Sequence, residues 1–148
     1  MKIENVITPT GVARPGMTVR EGFKLCLQAG VPGIPFVNQA GQVAGIFSIR
    51  ETLRRACIPE IMVNYADLLG DTTSCVEIPD EHARQLLGIT LDGFVREEHV
   101  DVALDTTLVK VVALMEKHSI NYVFVHDDGN YIGVITIWAI ARRMIELF

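Results

Sequence analysis

The residues with the clearest chemical potential stand at the start of a predicted helix. Ser48 precedes Glu51 by three positions, and the helix runs from near Ser48 towards Cys57, where Pro59 ends it. A hydroxyl group beside the free amides of a helix N-terminus suits an anionic group such as phosphate, because the amides and the helix dipole both favour negative charge. The same Ser-x-x-Glu spacing is also a capping box, which explains both residues without a ligand. Both interpretations stay open.

This stretch of sequence occurs twice in the chain. GIFSIRE at 45–51 returns as GVITIWA at 133–139, and 88 positions separate Gly45 from Gly133. At that offset, Val37 falls on Val125, Gly41 on Gly129 and Ser48 on Thr136. An internal repeat predicts two similar structural units that bury their apolar faces against each other.

The elements that position these residues follow from local patterns. Thr18 and Glu21 form a capping box for a helix over 19–29, and Gly30 suits the left-handed conformation that ends it. Apolar runs and turn residues predict strands, and an apolar stripe predicts a last helix. The predicted strands cover 34–37, 43–47, 122–125 and 131–135. A third helix follows Thr106–Thr107, and the last helix carries Ile137, Ile140, Ala141, Met144 and Ile145 on one side. Each half is therefore helix, strand, strand and helix, with an extended lead-in at 6–8 or at 94–96.

The segment between the halves, 59–93, has no counterpart in the repeat. Its apolar residues predict packing rather than a flexible linker: Ile61, Met62, Val63, Tyr65, Leu68 and Leu69. Pro79-Asp80-Glu81 opens a short predicted helix that ends at Gly88. We therefore expect an ordered, helical insertion.

Composition narrows the class of protein. Apolar residues make up 49% of the 148 residues, which suggests a buried core plus a subunit interface. No apolar run approaches the roughly 18 residues that a membrane span needs, and the net charge of -5 makes nucleic acid an unlikely partner. The N-terminus has no signal-peptide pattern. No Cys-x-x-Cys pair is formed by Cys26, Cys57 and Cys75, and the histidines lack metal-ligand spacing. These features predict a cytoplasmic protein without a metal site.

At the repeated residues, the chain resembles a tandem CBS-domain pair, also called a Bateman module. The family's unit is a lead-in, a helix, two strands and a helix, with Gly-hydrophobic-x-Ser/Thr-x-x-Asp at the start of the last helix. Residues 45–51 match this motif except that Glu51 replaces the aspartate, and residues 133–139 match through Thr136 and then carry Ala139. The run Ile34-Pro35-Phe36-Val37 resembles the family's apolar-Pro-Val-Val strand. The resemblance does not cover the middle of the chain.

The fold that the resemblance implies is α+β. Two β-α-β-β-α CBS units would pack through their sheets about a pseudo-two-fold axis, with the helical insertion between them. The expected bounds are 1–58 for CBS unit 1, 59–93 for the insertion and 94–148 for CBS unit 2. The family also implies a homodimer and a protein partner that the sequence does not identify. An enzyme is not expected, because the sequence has no nucleophile elbow, metal-ligand cluster or P-loop.

The resemblance further implies an adenine nucleotide (AMP, ADP or ATP) as regulatory ligand, with no required cofactor. In the first unit, Ser48 would face phosphate and Glu51 would accept the ribose hydroxyls. Arg50, Arg54 or Arg55 could add charge, although Arg54 and Arg55 also fit a solvated helix end. The base would lie against Gly33, Ile34 and Pro35. Thr8 could touch the base or simply end a strand.

In the second unit, Thr136 would keep the phosphate role or act only as a helix cap. Tyr122 and Val123 could wall a base pocket, but Ala139 cannot hold a ribose, so this site should be weak, altered or empty. The implied function is nucleotide sensing in the inter-unit cleft, mainly at the first-unit site, with the signal passed to a partner or to the oligomeric state. The alternative is a ligand-independent dimerisation or scaffold module with degenerate sites, which Glu51 and Ala139 favour.

Overall fold

The computed structural model describes residues 1–70 and 77–148, so Cys75 and part of the predicted insertion lie outside the described residues. The helices are α1 (Val19–Ala29), α2 (Ile49–Cys57), α3 (Glu60–Asn64), α4 (Asp80–Gly88), α5 (Leu108–His118) and α6 (Ile137–Leu147). The strands are β1 (Gly33–Val37), β2 (Val43–Ser48), β3 (Asp101–Ala103), β4 (Tyr122–Asp127) and β5 (Asn130–Thr136). Short 3-10 helices cover Ile3–Val6, Ala66–Leu68 and Leu91–Phe94.

The strands form two small sheets, one in each half of the repeat. β1 pairs with β2 in an antiparallel hairpin, and β4 pairs with β5 in the same way. β3, which the sequence analysis did not predict, adds a parallel edge to β4. The predicted α+β fold is therefore confirmed.

The helix ends follow from local capping. The Thr18 hydroxyl accepts a hydrogen bond from the Glu21 amide, and the Glu21 carboxylate accepts one from the Thr18 amide, so the predicted capping box starts α1. Gly30 ends α1 in the left-handed conformation, at φ 67°. Thr107 caps α5 in turn, since its side chain accepts from the Lys110 amide. The bounds predicted for α1 are thereby confirmed.

The two lead-in segments cross between the halves. Thr8 pairs with Val134 of β5, and Arg96 pairs with Ile46 of β2. The crossing explains the repeated glycine, because a Cβ atom on Gly133 would lie 2.7 Å from the Thr8 carbonyl oxygen. A Cβ atom on Gly45 would collide in the same way with the Arg96 carbonyl oxygen. The repeated glycine therefore serves the close approach of a backbone.

The ladders correct the predicted alignment of the first strand in each half. Gly33 pairs with Ser48 as Tyr122 pairs with Thr136, so β1 corresponds to β4 with an offset of 89 instead of 88. The predicted match of Val37 with Val125 is therefore wrong by one residue. The cause is the hairpin turn, which is one residue longer after β1 than after β4. Gly33 is consequently the structural counterpart of Tyr122.

Both halves contribute to each of the two core clusters. The first core cluster combines Phe47 and Leu91 with Phe124 and Val134 of the second half. The second cluster packs the N-terminal Ile3 and Val6 against the β3–β5 sheet and α5. The crossing of the lead-ins thus also mixes the two cores.

The insertion is helical in its described part, but its packing differs from the prediction. Leu86 of α4 is buried and belongs to the first core cluster. By contrast, α3 has no buried residue, Ile61 is 67% exposed and Leu68 is 80% exposed. The predicted packing of the apolar run 61–69 is therefore wrong. The short helices in this run lie outside the core that the two halves share. Their apolar side chains therefore pack against little of the protein that the structure describes.

Candidate functional site

A cavity of about 440 Å³ lies between the two halves. We call it the inter-unit cavity. The first half contributes the end of β2, and the second half contributes its lead-in, the end of α5 and the start of β4. Its lining residues are Ile46, Ser48, Arg96, Glu98, His99, Val100, His118, Ile120, Tyr122 and Phe124.

Ser48 places the N-terminus of α2 at this cavity. Its Oγ accepts a hydrogen bond from the Glu51 amide at 3.1 Å, which caps the helix. Its carbonyl oxygen accepts from the Thr52 hydroxyl at 2.7 Å. The Ser48 hydroxyl can donate either to the neighbouring Tyr122 hydroxyl or to a ligand, and the helix terminus favours an anion.

Glu51 lies behind Ser48 and is held by arginines. Its Oε1 accepts from Arg54 Nη2 at 2.7 Å and from Arg55 Nε at 2.8 Å, and its Oε2 accepts from Arg54 Nε at 3.2 Å. The Glu51 side chain is only 10% exposed. Hydrogen bonding to Arg54 in first place, together with Arg55 and the charge of Arg96, lowers the pKa of this carboxyl against the opposing effect of burial. Glu51 is therefore a buried carboxylate whose oxygens already have partners.

Arg96 provides the cation that lines the cavity. Its side chain is 48% exposed, with Nη1 at 3.9 Å from Glu51 Oε2 and Nη2 at 3.6 Å from Glu98 Oε2. Neither distance is that of a direct hydrogen bond. The guanidinium group therefore keeps donors available for an anion in the cavity.

Two histidines complete the polar side of the cavity. His99 Nδ1 lies 2.9 Å from the Glu97 carbonyl oxygen, which can only accept, so Nδ1 carries a proton. Its Nε2 is then an acceptor in the neutral ring and a donor in the charged ring. His118 is the last residue of α5. Sequence reasoning gave neither residue a role, because both lie outside the repeated motif.

The remaining wall is apolar and aromatic. The Phe124 ring lies 6.1 Å from the Tyr122 ring and 6.1 Å from the His99 ring, measured between centroids. Burial, with a smaller contribution from Cys26, raises the pKa of Tyr122 to about 12, against the opposing effects of Ser48, Arg96 and Arg50. The Tyr122 hydroxyl is therefore neutral at physiological pH. A Cβ atom on Gly33 would lie only 2.6 Å from that hydroxyl, so Gly33 gives Tyr122 its space.

The structure separates the residues that the sequence analysis grouped as ligand-binding. Ser48 and Tyr122, assigned there to different halves, line the same cavity. The side chains of Ile34, Pro35 and Val123 are buried, and none of the three lines the cavity. Thr8 pairs with Val134, Thr136 is buried as the cap of α6, and Arg50 is exposed at the start of α2.

The repeat itself points to the position of Arg96, which lines the cavity. Thr8, a predicted ligand-binding residue, lies in the first lead-in, and Arg96 stands 88 positions later in the second lead-in. The ladder partners of the two residues, Val134 and Ile46, are also 88 positions apart. The pairing of each lead-in with the other half could not be read from the sequence, so the sequence did not predict that Arg96 lines the cavity.

The corresponding region of the other half is built differently. A shallower cavity of about 270 Å³ lies there, lined by Pro9, Thr10, Gly11, Leu25, Gln28 and Ala29. The Thr10 hydroxyl forms a hydrogen bond with the Tyr131 hydroxyl. The lining contains no charged side chain, so this region is a weaker candidate for an anion.

Two further observations concern metals and membranes. A cavity of about 460 Å³ contains Glu4, Asp105, His126, Asp127 and Asp128. Nevertheless, no group of three or more His, Cys, Asp or Glu side chains within 1–70 and 77–148 is arranged to hold a metal ion. Among the helices of those same ranges, none combines the length and apolar character that crossing a bilayer requires.

Two similar units with crossed lead-ins and a cavity between them define the class of protein. Residues 94–146 match the family model of the CBS domain. The search of curated proteins found no match. Solved structures extend the likeness to nearly the whole chain, which therefore has the fold of a tandem CBS-domain pair.

Three solved structures illustrate that likeness. An uncharacterized conserved protein from Pyrococcus horikoshii has a TM-score of 0.70 and 18% identity, covering 97% of this chain and 92% of its own. A CBS domain-containing protein of unknown function from Bacillus anthracis has a TM-score of 0.65 and 12% identity, covering 99% and 94%. A protein from Methanocaldococcus jannaschii, described as a proposed archaeal homolog of g-AMPK, has a TM-score of 0.68 and 17% identity. The match to that protein covers 96% of this chain but 47% of the other.

Proposed function

We propose that this CBS-domain pair is a regulatory module that binds an adenine nucleotide, AMP, ADP or ATP, in the inter-unit cavity. Binding would then be passed to a protein partner or to the oligomeric state. The observation that carries the proposal is the meeting of Ser48, Arg96 and the Tyr122–Phe124 wall in one cavity. No catalytic step and no cofactor are part of the proposal.

The polar side of the cavity suits the phosphate groups. Ser48 and the N-terminus of α2 supply a hydroxyl donor and a favourable dipole, and Arg96 supplies a guanidinium group with several donors. His99 and His118 add two further groups that can donate when they are charged. These groups lie on one cavity, so one ligand could contact several of them.

The apolar side suits a flat heterocycle. Phe124, Tyr122 and the aliphatic side chains of Ile46, Val100 and Ile120 provide the wall. A volume of about 440 Å³ falls within the range of small-molecule sites. A ligand with an aromatic base at one end and an anion at the other matches this division, and an adenine nucleotide is such a ligand.

The proposed transmission needs a second surface. Exposed apolar side chains on α6 offer one, since Trp138 is 52% exposed and Ile145 is 79% exposed. Large exposed apolar areas are typical of protein–protein interfaces. We therefore propose a homodimer in which α6 contributes to the interface. The solved relative described as a proposed g-AMPK homolog agrees with a regulatory role.

A ligand-independent dimerisation or scaffold module is the second candidate. Two observations favour it: arginines occupy the oxygens of Glu51, and Ala139 stands at the equivalent place on α6. Under this candidate the two halves would serve only to present helix faces to a partner.

Isothermal titration of nucleotide-stripped protein with AMP, ADP and ATP tests the proposal. We expect saturable binding near one ligand per chain and a rise in melting temperature that follows RT ln(1 + [L]/Kd). Ser48→Ala should weaken binding, whereas Thr136→Ala, which removes the equivalent cap, should leave it unchanged. Absence of heat and of a melting shift with all three nucleotides would refute the proposal and favour the scaffold.

A further inference from the structure

Glu51 stands between three arginines that belong to two parts of the fold. Arg54 and Arg55 follow it by three and four positions on α2, and both bind it at 2.7–2.8 Å. Arg96 comes from the crossing lead-in of the other half and lies 3.9 Å away. Arg96 also lines the inter-unit cavity, whereas Glu51, Arg54 and Arg55 do not. Arg96 is thus the only member of this group that faces both Glu51 and the cavity.

The arginines leave Glu51 little capacity for a ligand. A carboxylate offers about four lone-pair positions, and Arg54 takes two of them while Arg55 takes a third. The remaining position is on Oε2, the oxygen that lies 3.9 Å from Arg96 Nη1. A ribose diol would have to displace Arg54 or Arg55 from charge-assisted hydrogen bonds. The ribose role expected for Glu51 by family resemblance therefore has a direct competitor in this chain.

Arg96, unlike Glu51, is held only loosely by its two charged neighbours. Its distances to the Glu51 and Glu98 carboxylates are 3.9 and 3.6 Å, beyond hydrogen-bonding length. A phosphate group in the cavity could approach Arg96 more closely than either carboxylate does. The two carboxylates attract the same guanidinium group that the phosphate needs, so they oppose its full transfer to the ligand.

We propose that Glu51 is a positioning residue that competes with an anionic ligand for Arg96, and that it limits the affinity of the inter-unit cavity instead of binding the ribose. This inference rests on the proposed function, because it concerns the same cavity and the same nucleotide. It reverses the expected sign of one substitution: loss of the Glu51 charge strengthens binding.

A physical link from this competition to the rest of the fold is present. Arg55 Nη1 donates to the Gly93 carbonyl oxygen at 3.0 Å, three residues before Arg96. Glu51 therefore connects α2 to the lead-in at two points, through Arg55 and through Arg96. Movement of Arg96 towards a ligand would remove one of these two connections and leave the other.

Titration of AMP, ATP and inorganic pyrophosphate into Glu51→Gln tests the inference. We expect a gain of about two- to fivefold in affinity for ATP and pyrophosphate, the size of a partly exposed ion pair. The double variant Glu51→Gln/Arg96→Gln should bind no better than Arg96→Gln alone, since the gain acts through Arg96. Glu97→Gln is the matched control: it removes a neighbouring charge, and Glu97 forms no ion pair with Arg96 among the described residues.

The outcomes separate the inference from the proposed function. A loss of about tenfold or more with AMP in Glu51→Gln, as expected for a lost hydrogen bond to a charged group, would overturn the inference and support a ribose contact. An unchanged affinity, or a gain no larger than that of Glu97→Gln, would also overturn it. If none of the three probes binds the parent protein or Glu51→Gln, both the inference and the proposed function fail.

A second variant covers the case in which Glu51→Gln does not fold. Arg54→Gln frees Glu51 from its closest partner, so Glu51 should hold Arg96 more tightly and nucleotide affinity should fall below that of the charge-matched control Arg84→Gln. A ribose contact predicts the opposite, because the freed carboxylate could then reach the ligand. A rise in affinity with Arg54→Gln would therefore refute the inference.

Discussion

The two halves of this chain use the same ladder and the same helix cap to build two different clefts. Gly33 pairs with Ser48 before α2, and Tyr122 pairs with Thr136 before α6. Each cap residue accepts a hydrogen bond from the amide three positions later. The backbone chemistry for an anion is therefore repeated, and the difference between the clefts lies in the side chains around it.

The differing side chains decide which cleft can hold a charged ligand. Arg96 of the first cleft corresponds to Thr8 in the second, and Glu51 corresponds to Ala139. Tyr122 occupies space that its counterpart Gly33 leaves open, so the pair cannot be symmetric. The repeated fold supplies the same strand pairing and helix cap twice, while differences at single positions give one cleft a cation and an aromatic wall.

The largest expected effect is on the free energy of unfolding, and it tests whether the close backbone crossing is equivalent in both halves. Gly45→Ala and Gly133→Ala should each lower the free energy of unfolding by about 2–3 kcal/mol, the upper range for overpacking. The reason is that a Cβ atom at either position meets the backbone of the crossing lead-in. Denaturant titration measures both values.

Gly88→Ala is the matched control for that pair. A Cβ atom on Gly88 meets nothing within 4 Å, so its stability should stay the same or rise slightly. If Gly133→Ala were as harmless as Gly88→Ala while Gly45→Ala was costly, the two crossings would not be equivalent.

A second, smaller effect separates the clefts by charge. Arg96→Gln should weaken ATP binding about tenfold, because it removes a charge-assisted contact. Thr8→Val, at the equivalent position in the other lead-in, should change the affinity less than twofold, since Thr8 lies outside the inter-unit cavity. Isothermal titration of both variants gives the ratio. Equal losses would mean that the ligand binds near Thr8 as well, and the proposed asymmetry would then be wrong.

Local sequence patterns predicted many of the helices and hairpins of the repeated fold. The capping box at Thr18 and Glu21 gave the bounds of α1, and the repeated motif gave both hairpins with their following helices. These features depend on residues close in sequence. The strand β3 and the crossing of the lead-ins were missed, because both depend on pairing with residues that are far away in the chain.

The candidate site was less predictable than the helices and hairpins, because it too depends on residues that are far apart in the chain. Ser48 was found because its hydroxyl and its helix are local features. Arg96, His99 and His118 reach the cavity only through tertiary packing. The pairing of Glu51 with Arg54 and Arg55 was readable in principle from the spacing of three and four on a helix, but the sequence analysis treated those arginines as added charge or as a solvated helix end.

The smallest expected effect concerns stability against pH, and it also distinguishes the two halves. The arginines lower the pKa of Glu51 in the folded protein below its ordinary value of 4.5. A depressed folded pKa contributes stability above the unfolded pKa, and this contribution is lost as pH falls through the folded pKa. Glu51→Gln should therefore be less stable than the parent near pH 7, and the gap should narrow as the pH drops below about 4.5.

Thermal melts of the parent and Glu51→Gln between pH 3 and pH 7 measure that gap. Because Arg54, Arg55 and Arg96 are partly exposed and solvent screens their charges, we expect a difference of about 1 kcal/mol at neutral pH. Ala139→Ser is a useful companion: it changes the equivalent position on α6 without adding a charge, so its difference from the parent should not depend on pH. A gap for Glu51→Gln that stayed constant across this range would mean that the carboxylate of Glu51 stabilises the fold through packing alone. In that case Arg96 would not be restrained by the charge of Glu51.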